Sequence, residues 1–440
     1  MDKAILVPIR FRCTEESTFN EMFSLVKKQY EHLAEFTSPC VLGEAIPDCD
    51  GILIPVMDKD VYKHYDQLKA IGKPVLVITT PFGVSLMFDW ESVNYLKEKG
   101  VQVYHPHSVE LAESLMKGLA LKRSMKKGKF LMFHDSEGEG LIDEEFKIFY
   151  WWNDECQKSM HDRFGVNIVH KSFKKLGADA KNIPDAEAQA ELDKRKFPAS
   201  VSRPQALLAS MKLYMQICRE IDAEGDVIGC GVNCLNEAFY TDTTPCMAWH
   251  LLQQERDISF ICEGDTASLM MKFLAEKTIK DSVFLTNIYP FLSGKPALDH
   301  EKLDAFPEVD SPDDHALIAH CGYLGCLPQK MCTKWMLRDC ALGWLVGENS
   351  TAVDAEIGTG PITICKFSNN FDRMMVVRAE LEKYIGYPGT DFRNGGLVRV
   401  PDGERFMDKN YSHHIIVVKG KRYLQLKAVA SLFGVETEEV

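Results

Sequence analysis

The chain has 440 residues, 45% of them hydrophobic and 26% charged, with 51 Lys+Arg against 64 Asp+Glu and a net charge of −13. That length calls for two or three domains at roughly 150 residues each, and the composition excludes both a disordered chain and a collagen-like one. The acidic balance repels polyanions, so nucleic acid is not an expected partner. At the N-terminus, MDKAILVPIRFR holds an apolar stretch only from Ala4 to Ile9, too short for a secretory core, which gives an expectation of a cytoplasmic protein. The uncharged run Pro74–Phe88 is broken by Pro81 and Gly83 and is shorter than a membrane span of about 20 residues, so no membrane partner is expected. The 14 cysteines include no C-x-x-C pair, and Cys246, Cys262 and Cys365 lie inside apolar runs. This usage predicts reduced thiols that pack as small hydrophobes, without a disulfide framework or a structural zinc.

In chain order, Ala4–Ile9, Gly51–Val56, Val75–Thr79 and Val101–Tyr104 read as short buried strands, with a helical pattern through Phe19–Phe36. This β-α-β-α order predicts a parallel, doubly wound sheet over residues 1–125. The basic stretch Lys122–Lys129 reads as a solvated linker, with a polyanion patch as the other reading. A second α/β unit is expected over 126–282. It begins at KFLMFHD, passes an amphipathic segment around Phe146–Phe164 and the strand Val166–Val169, then a polar stretch Ala178–Arg195 and a long helix Pro204–Ile221. Over 283–440, β-branched and Gly-rich runs at Ala316–Ala319, Gly360–Lys366, Gly396–Val400 and His414–Val418 predict a mainly antiparallel β domain, closed by a helix at Leu424–Phe433 and the acidic tail ETEEV. The fold class is therefore α/β, with two Rossmann-like doubly wound domains followed by a β-rich C-terminal domain.

Residues 229–234, GCGVNC, follow a strand-like run, but Cys234 stands where a dinucleotide fingerprint needs its third glycine; a tight turn explains the two glycines as well. The segment ISFICEGDTASLMMKFL is more informative. Glu263 and Asp265 close an apolar run and precede a helical pattern, at the strand end where open α/β sheets bind ligands. Asp265 reads as the cap of the helix beginning at Thr266, and Glu263 as either a metal ligand or a partnered structural carboxylate. SVFLTNIYPF, ALIAHCGYLGCLP and NYSHHIIVVKG add His320, His413 and His414; adjacent histidines on a strand point to opposite faces, so one of that pair reaches a given site.

Taken in order, KKGKFLMF, RFGVNIV, TPCMAWHLLQQERDISFICEGDTASLMM, the HCG segment, GTGPITICKF and SHHIIVVKGKRYLQLKAVASLFGVE resemble the L-fucose isomerase and L-arabinose isomerase superfamily. The resemblance covers most of the chain and is densest after residue 240. It implies a three-domain subunit, a divalent cation, usually Mn²⁺, held by carboxylates and histidine, and conversion of an aldose to its ketose. It places the glutamate of an E-x-D motif on Glu263, the second histidine of the terminal pair on His414, and a histidine ligand of the arabinose branch on His320. The second carboxylate, expected in F-L-x-D, falls on FLTN, so the neutral Asn287 stands at a metal position. The resemblance further implies a homo-oligomer whose N-terminal domain completes a neighbour's site, which would bring Arg10 and Arg12 to the substrate.

An aldose–ketose isomerisation needs positive charge where an enediolate oxyanion develops and a base for a weakly acidic C–H proton. Glu263 is the expected ligand and base, with Asp265, Tyr289 and His320 as candidates for the missing acid and Tyr289 and His413 beside the sugar. Arg10 and Arg12 could hold an anionic group of a modified sugar, or pair with Glu15 or Glu16. A lyase, an epimerase or a sugar-binding protein on the same fold is the alternative reading, because Asn287 brings no charge and transfers no proton.

Overall fold

The structure is a computed structural model, and it describes residues 2–135, 154–196, 198–235, 237, 240–301, 303–320, 327–386 and 394–440. Two compact units divide the chain: residues 1–126 with 277–279 and 424–434, and residues 127–276 with 280–423 and 435–440.

The first unit is built on parallel strands β1 (Ala4–Arg10), β2 (Ala34–Phe36), β3 (Cys40–Val41), β4 (Gly51–Ile54), β5 (Val75–Val77) and β6 (Val103–Tyr104). They lie in the order β2-β1-β4-β5-β6, with β3 paired to the end of β1 through Ile9 and Arg10. Every residue of β4 and β5 is buried, the signature of a sheet covered on both faces. Helices Glu16–Tyr30, Val61–Ile71 and Trp90–Glu98 connect these strands, and a fourth helix, Val109–Ser124, follows β6. Residues 424–434 pack onto the last of them at Gly118, where an added Cβ would lie 2.7 Å from Leu432 Cδ1, so a side chain there would push the segments apart.

The second unit contains a four-stranded parallel sheet made by β7 (Lys129–Phe133), β8 (Asn167–Lys171), β10 (Val227–Val232) and β11 (Ser259–Ile261), in the order β11-β10-β7-β8. The polar stretch Ala178–Arg195, where the sequence predicts no element, is largely helical, within Phe173–Lys181 and Asp185–Asp193. Small apolar residues such as Ala180 and Ala188 supply the buried side, so the pattern looks polar although it has an inner face. The expected amphipathic segment Phe146–Phe164 is described only from Asp154, which begins a helix ending at Phe164. The short β9 (Ala199–Ser200) pairs with β14 (Cys332–Asp339), which pairs with β15 (Thr351–Ile357).

The remaining strands are β12 (Val283–Pro290), β13 (His315–Ala319), β16 (Gly360–Phe367), β17 (Arg373–Ile385), β18 (Gly395–Arg399), β19 (His414–Lys419) and β20 (Glu436–Glu439). Six of them run antiparallel in the circuit β16-β19-β12-β13-β18-β17, which the β16–β17 pairing closes like a barrel. The acidic tail contributes β20, which adds to β17 in parallel. The fold class is thus mixed α/β, with parallel sheets and an antiparallel barrel-like sheet. Among the described residues, no helix is long and apolar enough to cross a membrane.

Candidate metal centre

The site assembles where β11 ends. Between β11 and the helix Thr266–Thr278 the chain turns through Glu263 (φ +56°) and Gly264 (φ +71°), two consecutive left-handed residues. Glycine adopts that conformation freely; for glutamate it costs on the order of 1 kcal/mol or more, a strain that the surrounding structure has to hold. Glu263 is buried, with its side chain 6% exposed.

Two elements of the barrel face it. His414 opens β19 directly opposite Asn287 of β12, and Asn287 also stands opposite Ala319, the last residue of β13, after which comes His320. His414 Nε2 lies 3.6 Å from Glu263 Oε2, and His320 Nε2 lies 3.7 Å from Glu263 Oε1. The two imidazoles stack with ring centroids 5.4 Å apart. One donor atom from each of Glu263, His320 and His414 falls within 4.8 Å of the other two, and all three residues are buried. A 2-His-1-carboxylate set of this kind suits several divalent ions and leaves coordination positions for a small molecule. The hydrogen bond to Cys262, burial and the Glu263 carboxylate push the Cys234 thiol well above its ordinary pKa.

Asp265 organises the cluster from behind. It caps the helix Thr266–Thr278, with Oδ1 accepting from the Ser268 amide at 2.8 Å and Oδ2 from the Ser268 hydroxyl at 2.6 Å. Its Oδ2 also accepts from His414 Nδ1 at 2.9 Å and from Lys366 Nζ at 3.3 Å. Burial alone would raise the Asp265 pKa, but the Lys366 ammonium and the His414 and Ser268 hydrogen bonds outweigh it and hold the carboxylate well below its ordinary value. An anionic Asp265 requires the proton of His414 on Nδ1, so Nε2 is the nitrogen presented to Glu263, the arrangement by which carboxylates orient metal-binding histidines.

Of the expected site residues, Glu263, Asp265, His320 and His414 therefore converge. Asn287 is buried beside them in register; its Nδ2 donates to the Tyr289 hydroxyl at 2.9 Å, and its Oδ1 has no hydrogen-bond partner among the described residues. Tyr289 is buried among Phe291, Leu317 and Leu397. His413 is exposed, with its ring centroid 4.5 Å from that of His414. Arg10 and Arg12 belong to the first unit, where Arg10 donates to the Thr14 carbonyl at 3.0 Å; among the described residues neither arginine pairs with Glu15 or Glu16. A second group of donors, Cys13, Asp58 and Asp60, is partly exposed, and Asp58 already accepts from the Thr14 hydroxyl and the Asp60 amide.

Lys366 is the site residue that sequence reasoning missed. It is 2% exposed and also donates to the Ser268 hydroxyl at 2.5 Å. The available signal was a lysine inside ITICKF, a run apolar on both faces, where a charge needs a buried partner. No family model matches this chain, and no curated protein sequence does either.

Proposed function

We propose that Glu263, His320 and His414 hold a divalent cation, and that the protein is a metal-dependent isomerase of the aldose–ketose type acting on a monosaccharide or modified sugar. The observation that carries this reading is the buried Glu/His/His cluster whose His414 is oriented by an ionised Asp265. Mn²⁺ is the cation the sequence resemblance implies, and a carboxylate with two imidazoles is compatible with it. The cation would supply positive charge where the substrate's oxyanion develops.

The chain's own groups account for the rest. Glu263 offers two oxygens, one for the cation and one to accept the proton leaving the sugar carbon and return it to the adjacent carbon. Tyr289, whose hydroxyl accepts from the Asn287 amide, is the candidate for contact with a substrate oxygen. Asp265, committed to four donors, positions His414 rather than supplying a proton. The Rossmann-like frames implied by the same resemblance belong to this proposal, as do a homo-oligomeric assembly and a cytoplasmic setting.

A panel of aldoses incubated with the protein and Mn²⁺, followed by NMR, tests the reaction. Ketose formation that falls at least about 100-fold in Glu263→Gln supports it, on the usual scale for a positioned base. No ketose from any aldose would overturn the isomerase reading. In that case the neutral amide at Asn287 favours the alternative, a lyase, epimerase or sugar-binding protein.

A further inference from the structure

The basic stretch Lys122–Lys129, which reads as a linker, does more than connect. Lys122, Arg123 and Lys126 line a pocket of about 320 Å³ in the first unit, together with Lys73, Asp48, Asp50 and Gln102. Its floor is the amino edge of the parallel sheet: Asp50 immediately precedes β4, Lys73 and Pro74 precede β5, and Gln102 precedes β6. Open α/β sheets take their substrates at the opposite, carboxyl edge, so this pocket is separate from the sheet's usual ligand position.

Four cations and two carboxylates converge here, a local excess of two positive charges in a chain of net charge −13. The hydrogen bonds present do not remove it. Lys73 donates to the Cys49 carbonyl at 2.6 Å and Lys122 to the Leu432 carbonyl at 2.6 Å, and a carbonyl satisfies a donor without neutralising its charge. Asp50 is shared between Arg123 and the Ile5 amide, whereas Asp48 extends fully into solvent, 3.4 Å from Lys73. Lys126 is exposed and makes no ion pair among the described residues. Burial of its amino end and repulsion from Lys126 and Lys73 push the Lys122 pKa down, although much of that side chain is exposed.

We propose that this pocket binds a small phosphorylated anion. Arg123 is already engaged by Asp50 and the Lys3 carbonyl, so the lysine ammoniums are the groups left for phosphoryl oxygens, and the volume of about 320 Å³ lies at the lower end for small-molecule pockets. A nucleic acid would need basic residues tracking along a surface, not one pocket on an acidic protein.

The test is a calorimetric titration of the chelator-treated full chain with inorganic pyrophosphate at low ionic strength, so that any metal centre does not contribute. The expected result is saturable 1:1 binding that weakens as chloride rises and that weakens roughly tenfold in Lys126→Glu, since reversing one charge removes one attraction and adds one repulsion. Lys126 is exposed, so this variant keeps the fold; Lys122→Met/Lys126→Met should lose binding further. No saturable binding by the wild type would overturn the proposal. Equal binding by wild type and Lys126→Glu would also overturn it, because the anion would then sit elsewhere.

Discussion

Asp265 and His414, 149 positions apart in sequence, are joined by a hydrogen bond of 2.9 Å between Oδ2 and Nδ1. The bond fixes which imidazole nitrogen carries the proton and turns the other towards Glu263. Asp265→Asn should therefore weaken divalent-cation affinity by about 10–100-fold, the range seen when a carboxylate behind a histidine ligand is lost. Isothermal titration with Mn²⁺ measures this; an unchanged Kd would reduce Asp265 to a helix cap.

Lys366 and Asp265 form a buried ion pair, and removal of one partner strands the other charge in a low-dielectric interior. Lys366→Met and Asp265→Asn should each cost about 3–5 kcal/mol of stability. The double variant should cost clearly less than the sum, because it leaves neither charge unpaired. Urea unfolding of the three variants checks this, and additive losses would show that the pair is not coupled.

How far the site was legible depends on sequence distance. The capping role of Asp265 could be read locally, because Ser268 lies three residues on in a helical pattern. Strands β16 and β19 were equally readable, as β-branched runs at Gly360–Lys366 and His414–Val418. The Lys366 partnership spans 101 positions, and no local pattern pairs a particular lysine with a particular aspartate. Strand β14 was missed for a related reason: CTKWMLRD mixes charged and apolar residues on a half-exposed strand, so neither strict alternation nor a continuous apolar run marks it. The helices within Ala178–Arg195 were hidden by alanine, which packs inside without raising the apparent hydrophobicity.

His250 packs on Trp335, ring centroids 4.3 Å apart, and burial lowers its pKa to about 4, with the Glu255 charge opposing weakly. The unfolded chain binds this proton below about pH 6.5, whereas the folded protein resists it until about pH 4. Stability from this residue is therefore complete above about 6.5 and is lost as pH falls towards 4. Between pH 7 and 5 the wild type should lose more stability than His250→Gln, measured as the difference in urea midpoint. An identical loss in both proteins would remove His250 as a contributor.

Asn287→Asp places a second carboxylate directly opposite His414, on the strand pair that faces Glu263. Without a cation the two charges repel, so the chelator-treated variant should melt below the wild type; with Mn²⁺ the added anion should lower Kd about tenfold or more. If the neutral amide is matched to an anionic substrate, turnover of the native substrate should fall in the same variant. An unchanged Mn²⁺ affinity would place Asn287 outside the ligand set.

The most direct measurement is the thermal stability of the chelator-treated protein as Mn²⁺ is added, for the wild type and for Glu263→Gln. A cation that binds only the folded state stabilises it by about 2.7 kcal/mol at 100 times its Kd, so the wild-type melting temperature should rise, and go on rising with the logarithm of free Mn²⁺ once that exceeds Kd. Glu263→Gln should show little or no rise. A wild type whose melting temperature is unmoved by Mn²⁺ and by other divalent cations, or a Glu263→Gln variant that responds equally, would contradict a metal centre at Glu263, His320 and His414.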